Sequence, residues 1–563
     1  MKLLRFCLAL ASASTLAVAP GCKDFYDVNV NPLTPTEVGL YSLLPVTQVN
    51  MAEYLGNNIG GLSQYTMALM QQLYNTRNIG NFQQTGDSFA GPWAGLYRAM
   101  LINNERIITQ GTTEQRWNYV GIAQLQKAYV YSQMVDLWGD IPYSEALKGE
   151  LNLAPRFDKD EDIYNGAANI QSLFSLIDEG IANLAKTGVV PTKPALSAVD
   201  LIYKGDLDKW ARFGRTLKLK LYNQLRKTNP GAVRGQVEPL LSGASGPLMD
   251  ECAECDFQLK YVNIANPDNR NPGFVTDYNA NPENRIGRYF YETMLILKDP
   301  RKPYYFFNQI RKNPSTLLTM QDYVSPLDSI FVTVRPGTSS QFASVASTAN
   351  VQTVQGLYPV GGRYDDGAGG KTGPTSGKAE APQRLLTYYS RKYTEAELRL
   401  TVYNDAAAAR IAFENALLAS MNKVNVIATA DGSPTIPADT IAAYKNRALA
   451  RYDRKSLVPQ GPTVPTTADD KLEVIMYEKY VASFGYGVDV YTDFRRTGHP
   501  YIRVSREAVA QSAPNSGLLI DDGSTRANGP FPLRFFYPTN DLTLNPNSPR
   551  TQRNVTTPIF WDK

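Results

Sequence analysis

The feature that most limits how this chain can fold is a set of apolar residues recurring at spacings of three and four. In residues 116–138, Ile122, Leu125, Ala128, Tyr131, Val135 and Trp138 keep that spacing and fall near one face of a helix. GDLDKWARFGRTLKLKLYNQLRK (205–227) repeats it with Trp210, Phe213, Leu217, Leu221 and Leu225, behind Asp206 as a plausible N-cap. The other faces of this second helix carry Lys209, Arg212, Arg215, Lys218, Arg226 and Lys227, which reads as a solvated or ion-paired face. Helical periodicity dominates 40–228 and returns at 383–421, 439–452 and 468–485. A mainly α-helical scaffold is therefore predicted over 40–228 and 383–485, with loop-rich parts over 229–382 and 486–563. No 34-residue repeat consensus emerges from self-similarity.

In the middle, NIANPDNRNPGFVTDYNANPENR (263–285) and GGRYDDGAGGKTGPTSG (361–377) are turn-rich loops by composition. Loops this long in a compact protein are functional or disordered. YETMLILKDPRKPYYF (291–306) between them reads as a helix halted before Pro300. A sharper break lies at DLWGDIPYSEAL (136–147). Trp138 can end its helix on the buried stripe, Gly139 permits positive φ, and Pro142 prevents continuation. Asp140 or Ser144 can then help start the next element, so the stretch is expected to be an architectural corner.

The first 21 residues have a positive start at Lys2 and Arg5, an apolar run from Phe6 to Val18, and small residues after it. That order reads as a secretory signal to be removed. Cys22 follows Gly21 in LAVAPGC, which resembles a lipoprotein processing site, so Cys22 is the expected lipid attachment. The remaining chain, about 540 residues, carries no second apolar run long enough to span a bilayer. With 57 basic against 53 acidic residues, nothing suggests a nucleic-acid footprint. Cys252 and Cys255 in DECAEC form a local disulfide or remain two thiols; zinc would need two further ligands, and His499 is the only histidine. No GxSxG-type elbow supports His499 in nucleophilic hydrolysis. Asp365 and Asp366 read as a solvated loop without calcium-loop spacing.

Several segments, in this order, resemble one known family. They are DVNVNPLTPTEV (27–38), DLWGDIPYSEAL, RFDKDEDIYNGAANIQSLFSLIDEGIANL (156–184), GDLDKWARFGRTLKLKLYNQLRK, RLLTYYSRKYTEAELRL (384–400), EKYVASFGYGVDVYTDFRRTGHP (478–500), FFYPTNDLTLN and the closing IFWDK. The chain resembles the SusD/RagB-like outer-membrane nutrient-binding lipoproteins of Bacteroidota-type bacteria. The resemblance implies a mainly α fold of tetratricopeptide-type helix pairs, forming a curved scaffold with a loop-rich second half. It implies one nutrient-binding domain over 22–563 behind the signal at 1–21. It also implies a lipid-anchored protein facing the cell exterior, which captures a glycan or other nutrient and passes it to a SusC-like TonB-dependent β-barrel. No catalytic residue, metal or cofactor is expected.

Sugars bind by stacking on aromatic rings while amide, Arg and carboxylate groups hold their hydroxyls. Of the 34 Tyr, 21 Phe and 5 Trp, those on helical stripes, including Trp93, Tyr97 and Trp210, read as core. Aromatic and polar residues on loops are the binding candidates: Tyr74, Arg77 and Phe82 in LYNTRNIGNF, Asn271 and Tyr278 in the long loop, Arg363 and Tyr364 in the Gly-rich loop. Two other classes stay open. An exported glycan hydrolase would need two carboxylates roughly 5–10 Å apart, and a helical adaptor would bind protein only.

Overall fold

The computed structural model describes residues 38–57, 59–75, 84–252, 254–279, 282–311, 327–333, 350–454, 468–500, 502–503, 518–519 and 531–563. The signal, Cys22, Arg77 and Phe82 lie outside these residues.

The helices of eight or more residues run in the order α1 (Leu40–Met51), α2 (Leu62–Leu69), α3 (Ile102–Thr113), α4 (Trp117–Trp138), α5 (Leu173–Leu184), α6 (Leu207–Gln224) and α7 (Pro230–Leu241) in the first half. They continue as α8 (Arg288–Ile296), α9 (Tyr388–Thr401), α10 (Ala406–Asp431), α11 (Ala438–Arg454), α12 (Ala468–Ala482) and α13 (Gly487–Thr497). Neighbouring helices pack on one another: α4 on α3 and α5, α5 on α6, α9 on α10 and α12, and α11 between α10 and α12. Strands are short and paired in twos. Antiparallel pairs join β1 (Leu73–Asn75) to β5 (Asn284–Ile286), β2 (Ile141–Pro142) to β3 (Phe157–Asp158), β4 (Phe257–Leu259) to β8 (Gln383–Leu386) and β6 (Phe306–Phe307) to β7 (Val354–Gln355). The predicted mainly α class therefore holds.

The sequence stripe of α6 matches the structure. Trp210, Phe213, Leu217 and Leu221 are buried, and the Asp206 carboxylate accepts from the Lys209 N–H at 3.1 Å. Its charged faces are ion-paired through Arg212–Asp208, Lys218–Asp178 and Lys220–Asp489. The reading of α4 needs correction. It was expected to bury one face, yet 19 of its 22 residues are buried. A helix covered all round lies inside the protein, and α5 crosses it where Gly121 leaves room. A Cβ on Gly121 would stand 2.7 Å from the Gly180 carbonyl.

Two more helices fall inside regions expected to be loops. In α7, the Asn229 side chain accepts from Ala232 N–H, Pro230 takes the first turn, and Val233, Val237 and Leu240 are buried. In α13, which packs on α2, Val488 and Val490 are buried although Gly485 and Gly487 mark a break in the sequence.

The corner at DLWGD is closed from the far end of the chain. Trp138 donates its indole N–H to the Phe536 carbonyl at 3.0 Å, and the Tyr537 hydroxyl donates to the carbonyls of Asp140 (2.8 Å) and Trp138 (3.2 Å). Gly139 has φ +82°, and a Cβ there would lie 2.3 Å from Arg534 Nη2. Asp140 pairs with Arg553 and accepts from the Asp160 N–H, at the first residue of the helix Asp160–Asn165. It helps start that helix, from 20 residues away, rather than the element that follows it directly in the chain.

Candidate ligand-binding surface

The loop-rich middle has its own small core of Phe274, Tyr278, Phe307, Val354, Val360 and Ala379. Around it, five separate stretches of chain are tied into one hydrogen-bonded network. At its base, the Asp277 carboxylate accepts from the Gln355 side chain (2.6 Å) and from Asn284 (3.3 Å to N). Burial pushes this carboxyl up to about 6 against those bonds. Tyr74 sits in β1 opposite Arg285 of β5, next to Asn284.

Asn271 and Tyr278 take inward positions, which corrects their expected place on a ligand-facing surface. Asn271 is buried and caps the short helix Pro272–Asp277, accepting from Gly273 N–H at 2.9 Å and donating to the Ala381 carbonyl at 2.8 Å. Tyr278 is 1% exposed. Its hydroxyl donates to the Gln355 carbonyl and accepts from Arg363 N–H, both at 2.8 Å. The physical reason is backbone accounting: a long irregular loop must satisfy its own buried N–H and C=O groups. Tyr74, 5% exposed, is likewise packed in.

Arg363 and Tyr364 are half-buried at the rim. The Arg363 guanidinium lies over the Phe307 ring at 4.2 Å, and the Tyr364 ring meets Tyr304 at 4.9 Å. Beside them, Asn308 Nδ2 donates to Asp365 Oδ2 (2.7 Å) and to the Tyr291 hydroxyl (3.2 Å), while the Thr353 hydroxyl donates to Asn308 Oδ1 (2.7 Å). Tyr291 donates to Asp328 Oδ2 (2.8 Å), accepts from Lys302 (2.8 Å) and stacks on Phe331 at 3.8 Å. Burial raises the Asp365 carboxyl, while the Gly367 N–H, Asn308 and Lys302 pull it back.

Tyr291, Asn308 and Thr353, buried beneath this rim, and Lys302 and Asp328 beside them were not foreseen as its support. The sequence signal was present in KDPRKPYYFFNQ, where aromatic and amide residues crowd just past a halted helix, but it reads equally as core. The rim offers the Tyr364 ring, the Arg363 guanidinium and the Asp365 carboxylate, held from beneath by the buried Asn308 amide, with Lys302 already balanced by Asp328. That combination suits a neutral, hydroxyl-rich ligand.

Elsewhere, Cys252 and Cys255 form a disulfide, and His499 is buried just beyond α13, its backbone N–H bonded to Thr497. Trp93 and Trp210 lie in the core as expected. Among the described residues no group of three or more His, Cys, Asp or Glu could hold a metal ion.

Residues 32–538 match the SusD-like family, described as starch-binding and associating with the outer membrane. The chain belongs to the SusD-like family. Solved SusD-like structures share its fold. A SusD homologue from Bacteroides fragilis is 17% identical, with 94% of this chain and all of that chain covered and a TM-score of 0.67. A SusD/RagB family protein from Bacteroides thetaiotaomicron is 20% identical, covering 93% and 99%, with a TM-score of 0.63. A protein described as chitin-binding is 20% identical, covering 93% and 100%, with a TM-score of 0.66. No curated protein matches this chain. The outer-membrane association belongs to the family; among the described residues no helix is long and apolar enough to cross a membrane.

Proposed function

We propose that this SusD-like protein is a surface-exposed outer-membrane lipoprotein that captures a neutral oligosaccharide and delivers it to a SusC-like TonB-dependent transporter. Residues 1–21 direct export, and acylation of Cys22 gives the protein its hold on the membrane; an anchor with two or more chains is stable where a single chain is marginal. The observation that carries the binding reading is the rim of Arg363 and Tyr364 beside Asp365 and Asn308, aromatic and polar groups held by a small rigid core. The protein binds without breaking bonds: capture by the loops is followed by release into the barrel.

Two measurements test this. Purified protein should bind members of a panel of neutral glycans without forming products, and Arg363→Ala or Tyr364→Ala should weaken that binding about tenfold or more at unchanged thermal stability. Product formation from any glycan would replace the reading with a hydrolase. Pull-down of full-length protein from native outer membranes should recover a large β-barrel, and Cys22→Ala should lose membrane attachment. Lipidated protein that recovers no barrel would leave the transport reading without support.

A further inference from the structure

Apart from the rim, two hollows of about 270 and 250 Å³ lie end to end against α10. They share Lys423 and Val426, so together they make one groove. Its lining positions on α10 run from Ala419 to Asp431. At about 1.5 Å per residue that is about 18 Å, the length of roughly five residues of extended chain. Arg363 and Tyr364 line neither hollow.

The floor of the groove is aliphatic. In the larger hollow, Val426, Ile427 and Ala430 of α10 face Leu357, Ala381 and Pro382, and Val426 is 47% exposed. Tyr261 is the one aromatic residue lining that hollow, so it suits branched apolar side chains better than stacked sugar rings. One wall is held in place beforehand. The Cys252–Cys255 disulfide closes the loop that carries Glu251 and Glu254. Beside it, the buried Asp256 pairs with Lys423 at 2.6 Å and accepts from the Tyr388 N–H at 2.7 Å. A wall fixed in advance leaves little to be ordered on binding.

Charge then selects the ligand. The chain is slightly basic, with 57 Lys and Arg against 53 Asp and Glu. The groove reverses that sign: Glu251, Glu254, Asp256, Glu380 and Asp431 line it against three lysines. The lysines are already engaged, Lys423 by Asp256, Lys260 by Glu254, and Lys378 by the Ala430 and Asp431 carbonyls at the end of α10. Glu251 at one end, and Glu380 and Asp431 at the other, accept from neutral donors, the Asn422 amide, the Asn263 N–H and the Ser433 hydroxyl. These three carboxylates form no ion pair among the described residues. Arg391, 5.8 Å from the Tyr388 ring, is paired with Glu395 and lines neither hollow.

We infer that this groove is a second binding site, which takes a short extended peptide with a basic residue near each end and aliphatic residues between. The site stands apart from the glycan rim and does not depend on it. The aliphatic side chains enter the two hollows on either side of Val426, and the basic ends meet Glu251 and the Glu380 and Asp431 carboxylates.

The probe is an end-capped, fluorescein-labelled hexapeptide with lysine at both ends and valine and leucine alternating with serine between them, titrated against full-length protein by anisotropy. Binding should saturate. The same peptide with glutamate for both lysines should bind about tenfold more weakly or worse, and added salt should weaken the lysine peptide. Val426→Arg lays a cation and its stem across the shared floor, so it should weaken binding about tenfold or more at unchanged thermal stability. Ile411→Arg, 63% exposed on α10 outside the groove, should leave binding unchanged. Glu251→Lys brings the lining to four carboxylates and four lysines and should weaken binding severalfold. No saturable binding overturns the inference, as does equal affinity for the lysine and glutamate peptides. A stable Val426→Arg protein that binds like wild type overturns it too, and if that protein is unstable, unchanged affinity in Glu251→Lys does so. Binding lost in Arg363→Ala but kept in Val426→Arg would place the peptide at the rim instead.

Discussion

Trp561→Phe should weaken the fold in a way that depends on pH. Trp561 is fully buried two residues before Lys563, and its indole N–H donates to Asp136 Oδ1 at 2.9 Å. The Tyr164 hydroxyl donates to the same oxygen at 2.6 Å. Asp136 lies on α4 and is 1% exposed; burial raises its carboxyl, while Lys220, Tyr164, Arg495 and Trp561 pull it back. Phenylalanine keeps most of the ring and removes the donor. Losing a hydrogen bond to a buried charged group costs about 1.5–3 kcal/mol, and the smaller ring adds roughly another 1 kcal/mol. Unfolding entropy scales with length, so about 2.5–4 kcal/mol lowers Tm by about 2–4 °C in a chain of this size. The sign of the pH effect follows from the native carboxyl lying above its unfolded value. The native state holds the proton more tightly, so stability falls as pH rises from the unfolded value through the native one. Removing the indole donor lifts the native value further and widens that window upward. The deficit of the variant against wild type should therefore grow as pH rises and shrink as pH falls, because a protonated Asp136 no longer needs the lost donor. Scanning calorimetry of both proteins across that window measures it. A deficit independent of pH, or none, would refute the coupling between the C-terminus and Asp136.

Gly139→Ala should lose about 3–5 kcal/mol in urea unfolding, from positive-φ strain and from displacing the buried Arg534 guanidinium; a loss below 1 kcal/mol would mean the corner relaxes freely. Glu397, fully buried, accepts from Asn223 and Arg226 at 2.9 Å each and pairs with Arg496, so Glu397→Gln should lose about 3–5 kcal/mol by leaving two guanidinium groups face to face. Asp277, with its carboxyl pushed up to about 6, should make the loop-rich end less stable as pH rises from about 4 to 6, by about 3 kcal/mol at most, read as faster hydrogen exchange at Asn284–Ile286.

What could be read from the sequence was whatever a residue does with neighbours three or four positions away. Asp206 capping α6 and the ion-paired flanks of that helix are local facts, and they match. The all-round burial of α4 lies beyond that range: α3 and α5, before and after it in the chain, pack on it together with more distant helices, whereas its own spacing marked only one face. The same holds for Trp138, whose partner Phe536 is 398 residues away, although the shape of its turn was legible. In the loop-rich middle the gap is wider. Tyr278 looked like a loop aromatic available to a ligand, but its hydroxyl is fixed by Gln355 and Arg363, 77 and 85 residues on.

The contrast between the corner and the rim carries a functional consequence. At DLWGD the backbone is held from several directions: Arg534 blocks any side chain on Gly139, Tyr537 binds two carbonyls, and Arg553 and Asp160 hold Asp140. A residue pinned on every side has few alternatives, so its identity can be inferred from geometry. Arg363 and Tyr364 are pinned on one side only, by Phe307, Tyr304 and the Arg363 backbone bond to Tyr278. On the function proposed above, their outer sides are the ones that meet the ligand. A scaffold fixed at its corners and free at this rim lets ligand preference change through a few side chains without disturbing the core beneath them. On the proposed reading, the ligand has to be identified by binding measurements with variants at that rim, because the packing that determines the fold does not determine the ligand.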